Sequence, residues 1–203
     1  MNPIPVLLLA GSRPGRDPIC ATYGTDYKSV APVAGVPMVL HALRNLTACN
    51  FVSEIIVLAQ EPEKLQTALE DYPLSSKVRF CRSSSTISAT VLETWDQLGG
   101  ITPLLITTAD NCLLGKQHLD EFLSKALAHE SDIAMGFVTR NKLQASYPES
   151  GRTWIRFSDT ELTGCNLFLL KSKRARLTVE FWEDFEARPK KILRMAWNLG
   201  PAL

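Results

Sequence analysis

Long apolar runs are the first thing this sequence lacks. No stretch approaches the roughly 20 consecutive apolar residues that cross a bilayer, so no membrane span is expected. The amino-terminal residues run straight into an apolar segment. They lack the basic region, long apolar core and small-residue cleavage site of a secretory signal, and the cytoplasm is the expected location. Cysteine is scattered. Cys20, Cys49, Cys81, Cys112 and Cys165 form no C-x-x-C pair, and their number is odd. That argues against a disulfide framework and a structural zinc site. His41, His118 and His129 show no metal-ligand spacing. An excess of one charge is missing too. The net charge of +1 gives no overall reason to expect a nucleic acid or a membrane surface as partner. Internal repeats and low-complexity tracts are absent.

What is present is the composition of a globular protein: of 203 residues, 45% are hydrophobic and 21% charged, enough to bury a core. One domain over residues 1–203 is expected. An α/β core runs to residue 138, and a hairpin and helices follow over 139–203.

The chain is organised around its first forty residues. Val6 to Leu9 is a short apolar run ended by Ala10-Gly11, which reads as a strand buried on both faces. Ser12, Arg13, Pro14, Gly15, Arg16 and Pro18 follow without apolar periodicity, which is a loop. Backbone amides and guanidinium groups at the end of a buried strand suit a polyphosphate. A plain basic surface loop is the other reading.

Apolar residues at 39, 40, 43 and 46 fit one face of a helix entered through Pro37. Strands are expected at 54–59, 78–81, 103–110 and 132–138, with helices at 61–72, 87–98 and 116–129. This alternation is the pattern of a mostly parallel, Rossmann-like central sheet with helices on both faces. Ligands of such sheets bind outside the carboxyl ends of the strands, so the loops after the first, third and fourth strands are expected to meet. From Thr139 the rhythm changes. Residues 140–152 read as a loop, 153–157 as a half-exposed strand and 162–170 as a further strand. Together they predict a small antiparallel hairpin beside the parallel core. Residues 172–199 read as helical.

Two charged positions stand out. Asp110 closes the apolar run Leu104-Leu105-Ile106 after Thr107-Thr108-Ala109. A carboxylate there suits Mg²⁺, which takes oxygen ligands and keeps waters and substrate phosphates in its shell; a helix cap is the bland alternative. Lys28 precedes the apolar stretch Val30 to Val33. It can reach a phosphate as a point charge or remain a solvated surface lysine. Trp154, Trp182 and Trp197 are better read as core or interface than as a stacking set. Lys171, Lys173, Arg174 and Arg176, with Arg188, Lys190, Lys191 and Arg194, read as a solvated helical face.

Taken together, L-L-A-G-S-R at 8–13, Lys28 followed by P-V-A-G-V-P-M at 32–38, and T-T-A-D at 107–110 resemble the MobA-like nucleotidyltransferases of the GT-A superfamily. T-G-C-N at 163–166 resembles that family's later G-x-N element, and the resemblance covers about residues 5–170. It implies a GT-A-type fold and a Mg²⁺-dependent enzyme. Such an enzyme joins a nucleoside monophosphate from a triphosphate to a small phosphorylated acceptor, a sugar or polyol phosphate or a cofactor precursor, and releases pyrophosphate. By the resemblance, Leu9, Ala10, Gly11, Ser12, Arg13, Gly15 and Arg16 hold the triphosphate, and Lys28 and Arg13 neutralise charge on the transferring phosphate. Asp110 and Asn166 face the metal, and Ser83, Ser84 and Ser88 fall where the family reads the base. Residues 139–170 are the acceptor side. The loop departs from the family's L-A-A-G-x-G-x-R, which leaves Arg13 and Arg16 competing for one role. Many relatives also end in an acidic D-x-D-x-x-x-D segment, and this chain stops at Leu203 without one. A truncated chain, Asn166 in that segment's place, and a weakened site are the three readings. The rival functions are a GT-A glycosyltransferase using a nucleotide sugar and a degenerate nucleotide-binding regulatory domain.

Overall fold

A computed structural model describes residues 3–12 and 17–187. The first strand, β1 (Ile4–Leu9), lies inside the sheet. Its alternation shows why it is apolar throughout. Ile4, Val6 and Leu8 enter one core and Leu7 the other, so every position loses water on one face or the other.

The chain then forms α1 (Pro18–Tyr23), a hairpin of β2 (Pro32–Val33) and β3 (Val36–Pro37), and α2 (Met38–Ala48). Next come β4 (Val52–Ala59), α3 (Pro62–Thr67), β5 (Val78–Arg82) and α4 (Ile87–Gln97). They are followed by β6 (Leu104–Thr108), α5 (Lys116–Ala128), β7 (Ile133–Thr139) and α6 (Arg140–Ser146). The described part closes with β8 (Ile155–Arg156), β9 (Glu161–Leu170) and α7 (Arg176–Ala187). The main sheet has seven strands in the order β5-β4-β1-β6-β9-β7, with β8 paired to β9. β1 pairs in parallel with β4 and β6, and β4 with β5. Only β9 runs against the rest.

Helices cover both faces, as expected. On one face Val39, Leu43 and Leu46 of α2, Leu65 of α3 and Leu119 and Leu123 of α5 meet Val6, Val57 and Leu105. On the other, Val91 and Trp95 of α4, with Val179 of α7, meet Leu7, Ile56 and Ile106. The Trp95 indole N–H donates to the Ile101 carbonyl at 2.8 Å, so its one polar group is satisfied. Arg176 grips the Asp96 carboxylate with both guanidinium nitrogens at 2.5 and 3.2 Å and ties α7 to α4.

Four features differ from the sequence reading. The loop after β1 contains α1, with Asp17 accepting the Ile19 amide at 2.8 Å, proline at its first position and Gly24 at φ 62° closing it. Those are ordinary helix-boundary signals, present in the sequence but hidden by the absence of an apolar stripe. The helix expected over 61–72 is shorter and ends at Thr67. Residues 140–146 are helical, capped by the Thr139 hydroxyl. Finally, β9 forms the short hairpin with β8 and lies antiparallel beside β6 of the parallel core, as expected, but it is not the strand at that edge of the sheet. It is inserted between β6 and β7, because Leu167, Leu169 and Leu170 need cover on both faces. The helical reading beyond Ala187, with Trp197, Arg188, Lys190, Lys191 and Arg194, lies outside the described residues.

Candidate active site

The carboxyl ends of β4, β1 and β6 stand side by side. Pairing continues one residue past the strands: Ala10 N–H donates to Leu58 O and Ala109 N–H to Leu9 O, both at 2.9 Å. The Leu9 carbonyl is therefore held inside the sheet, and the chain becomes free to bend at Gly11.

Gln60, just beyond β4, sets the direction of that bend. Its side-chain amide accepts from Ser12 N–H at 3.0 Å and donates to Ser12 O at 2.8 Å. A Cβ on Gly11 would lie 3.0 Å from the Gln60 amide, so the glycine leaves room for this clamp. Among the described residues the buried Ser12 hydroxyl has no hydrogen-bond partner. Arg13, Gly15 and Arg16 lie outside the described residues.

Lys28 opens a short 3-10 turn over Lys28–Val30. The turn is anchored on both sides. Tyr27, 5% exposed, accepts the Glu61 N–H on its hydroxyl at 2.7 Å, and the buried Ser29 hydroxyl donates to Ala10 O at 3.3 Å. Burial pushes the Tyr27 phenol above its ordinary range, so it stays neutral and keeps its proton. The turn thus sits across the ends of β1 and β4, with Lys28 pointed at β6.

There the Lys28 ammonium donates to Asp110 Oδ2 at 2.8 Å. The other carboxylate oxygen accepts from the Thr108 hydroxyl at 2.6 Å, and Thr108 accepts from Asn166 Nδ2 at 3.3 Å. Burial alone would raise the Asp110 carboxyl. The hydrogen bonds from Lys28 and Thr108, with the lysine's charge, outweigh burial and hold the carboxyl below its ordinary value. Asp110 is no helix cap, since α5 starts at Lys116 with Gly115 before it. The Lys28 and Asp110 side chains are 32% and 40% exposed, so both are open to solvent. The sequence reading singled out Lys28, Asp110 and Asn166, and the fold brings all three together.

The description "MobA-like NTP transferase domain" matches residues 6–159. The chain belongs to this family.

The MobA-like chain resembles several solved structures. A hypothetical transferase from Thermus thermophilus is 24% identical, with a TM-score of 0.73 over 98% of this chain and 78% of that one. A CMP:2-keto-3-deoxy-manno-octonic acid synthetase complexed with CTP is 14% identical, with a TM-score of 0.61 over 98% and 87%. A 4-diphosphocytidyl-2C-methyl-D-erythritol synthase from Anaerococcus prevotii is 13% identical, with a TM-score of 0.58 over 90% and 76%. These are likenesses of fold. No curated protein matches the chain.

Other expected residues of the MobA-like site lie further out. Ser83 follows β5, two strands from β1. Its N–H donates to Ala59 O at 2.8 Å, and its buried hydroxyl has no partner among the described residues. Ser84 is used locally, its hydroxyl on Glu93 at 2.8 Å and its N–H on the Thr90 hydroxyl at 3.0 Å. Ser88 is 2% exposed within the first turn of α4, whose cap is Thr86. Of the tryptophans among the described residues, Trp154 lies under the Arg140 guanidinium at 5.7 Å, and Trp182 meets Phe168 edge-on at 6.0 Å. Arg174 and Arg176 pair with Asp132, Asp96 and Glu180, and Lys171 bonds the His129 carbonyl.

Among the described residues, no group of three or more His, Cys, Asp or Glu side chains could hold a metal. The donor set is one ionised carboxylate, Asp110, and one amide oxygen, Asn166 Oδ1, linked through Thr108. Two hard oxygen donors on exposed side chains are of the kind Mg²⁺ takes, and they lack the nitrogen and sulfur ligands that zinc favours.

Proposed function

We propose that the chain transfers a nucleoside monophosphate from a nucleoside triphosphate to a small phosphorylated acceptor and releases pyrophosphate. The observation that carries this reading is the Lys28–Asp110 pair at 2.8 Å, at the carboxyl end of the β1–β6 pair, in a MobA-like NTP transferase domain.

The triphosphate lies over the bend at Gly11 and Ser12, where the chain leaves the buried strand. Lys28 exchanges its carboxylate for a phosphate oxygen as the triphosphate arrives. The 3-10 turn keeps it in place through Tyr27 and Ser29, so little reorganisation is needed. Asp110 and the Asn166 amide oxygen would hold Mg²⁺, which when bound offsets negative charge on the phosphates. An oxygen of the acceptor phosphate attacks the α-phosphorus in line. A P–O bond forms there, the α–β bridging bond breaks, and its electron pair leaves on pyrophosphate. Ser83 stands on the side where the base is read, and residues 139–170 form the acceptor side.

The test is pyrophosphate release, screened with each common triphosphate over phosphorylated sugars and alcohols in Mg²⁺. Lys28→Ala and Asp110→Ala are each expected to lose about 10²-fold or more in kcat while keeping the circular dichroism of the parent. Full activity in both variants overturns the assignment. Triphosphate binding with no turnover on any acceptor points instead to a nucleotide-binding regulatory domain.

A further inference from the structure

Asn166 has an unusual backbone. Its φ is +49°, in the left-handed region that few residues other than glycine enter, asparagine being one that does. The cause lies in the pairing of β9. Met135 of β7 faces Phe168, yet Phe137 faces Gly164. Gly136 alone therefore stands opposite Cys165, Asn166 and Leu167. This is a bulge, which bends a strand and re-aims a side chain. On its other side β9 pairs with β6 only as far as Thr107↔Leu167, so Asn166 is the first residue to leave that ladder, beside Thr108.

Two residues hold the bulge in this form. A Cβ on Gly136 would come within 3.2 Å of the Leu167 Cβ and 3.5 Å of the Cys165 Cβ. The glycine is there for space, since its φ is not positive. Across the sheet, the Asn111 side-chain amide donates to the Cys165 carbonyl at 2.6 Å, spanning 54 residues. Asn111 directly follows Asp110 and is braced by its own N–H on Thr108 O at 3.2 Å. The carbonyl pinned by Asn111 belongs to the residue before Asn166.

We infer that Asn111 and Gly136 are positioning residues: together they fix the β9 bulge that aims Asn166 at the Thr108–Asp110 pair. The inference rests on the nucleotidyl-transfer reading for its purpose, but the juxtaposition can be tested without it. Neither residue needs to touch a substrate. Asn111 couples the loop bearing Asp110 directly to the strand bearing Asn166, so the two oxygen donors move as one unit.

The first readout is the side-chain amide resonance of Asn166, identified as the cross-peak lost in Asn166→Ala. Asn111→Asp keeps the shape of the side chain and removes its donor. In that variant, and in Gly136→Ala, the Asn166 resonance is expected to move toward that of a free amide, with backbone amides away from β7, β9 and the loop carrying Asn111 unshifted. An unmoved resonance overturns the inference whether or not the protein is an enzyme. Should Gly136→Ala fail to fold, Asn111→Asp carries the test. The second readout is Mn²⁺ binding by titration calorimetry, with non-hydrolysable analogues of the common triphosphates present. Asn111→Asp is expected to weaken it about tenfold and to add nothing in an Asn166→Ala background. Additive losses would show that Asn111 does not act through Asn166. Absence of Mn²⁺ and triphosphate binding in the parent protein overturns the nucleotidyl-transfer reading and leaves the resonance test of the bulge standing.

Discussion

Lys28 and Asp110 are 82 residues apart in sequence, and their pairing has a pH signature with a definite sign. The Asp110 carboxyl is held below its ordinary 3.8 in the folded state. Between the folded and unfolded values the unfolded chain binds the extra proton, so stability rises with pH there. The contribution is complete above the unfolded value and is lost as pH falls through the folded one. Both side chains are about a third exposed or more, so solvent screens the pair and its worth is about 1 kcal/mol or less. Asp110→Asn abolishes this slope. Urea unfolding of the parent and of Asp110→Asn is expected to show a stability gap that opens as pH rises from the acid side through the ordinary carboxyl value of 3.8 and is flat well above it. A gap independent of pH would mean that the carboxylate gains nothing from Lys28. Tyr27 makes a second test at this scale. Tyr27→Phe removes the acceptor of the Glu61 N–H at a cost of about 1 kcal/mol. Because the turn carrying Lys28 loses one of its two anchors, kcat is expected to fall more than triphosphate KM rises.

At the scale of the element, what the sequence made legible depended on how locally each signal is encoded. β1, β4 and β6 were readable because a strand buried on both faces must be apolar at every position, and Leu7 and Leu8 show the two faces directly. Asp110 was readable because it breaks such a run. The place of β9 was not, since alternation reports which face a residue takes and says nothing about which strand lies beside it. The amides of Gln60 and Asn111 were invisible for a related reason. Each is one polar residue with no motif spacing, and its partner, Ser12 or Cys165, is 48 or 54 residues away. The serine-rich start of α4 carries a local signal that does not say which hydroxyl it uses. Serines at 83–85 are natural caps, yet the Thr86 hydroxyl accepts the Ala89 N–H at 3.1 Å. Thr86→Ala is therefore expected to cost about 1 kcal/mol in urea unfolding, whereas Ser85→Ala should cost little. Equal losses would show that the cap is shared.

The described residues form two cores separated by the seven-stranded sheet, and the site sits on the rim where that sheet ends. Leu123 of α5 belongs to the core on one face and Val91 of α4 to the core on the other. They are 0% and 3% exposed. Leu123→Ala is expected to cost about 2–5 kcal/mol, from lost burial and the cavity left behind. Val91→Ala removes less, about 1–3 kcal/mol. No side chain joins the two positions, because the backbone of the sheet lies between them. Their costs are therefore expected to add to within about 0.5 kcal/mol in the double variant. Coupling well beyond that in urea unfolding would mean that the sheet transmits strain between its faces. Additive losses with kcat unchanged in both single variants would show that the strand ends holding Lys28 and Asp110 are fixed by the sheet itself. Neither helix layer would then be needed to place them.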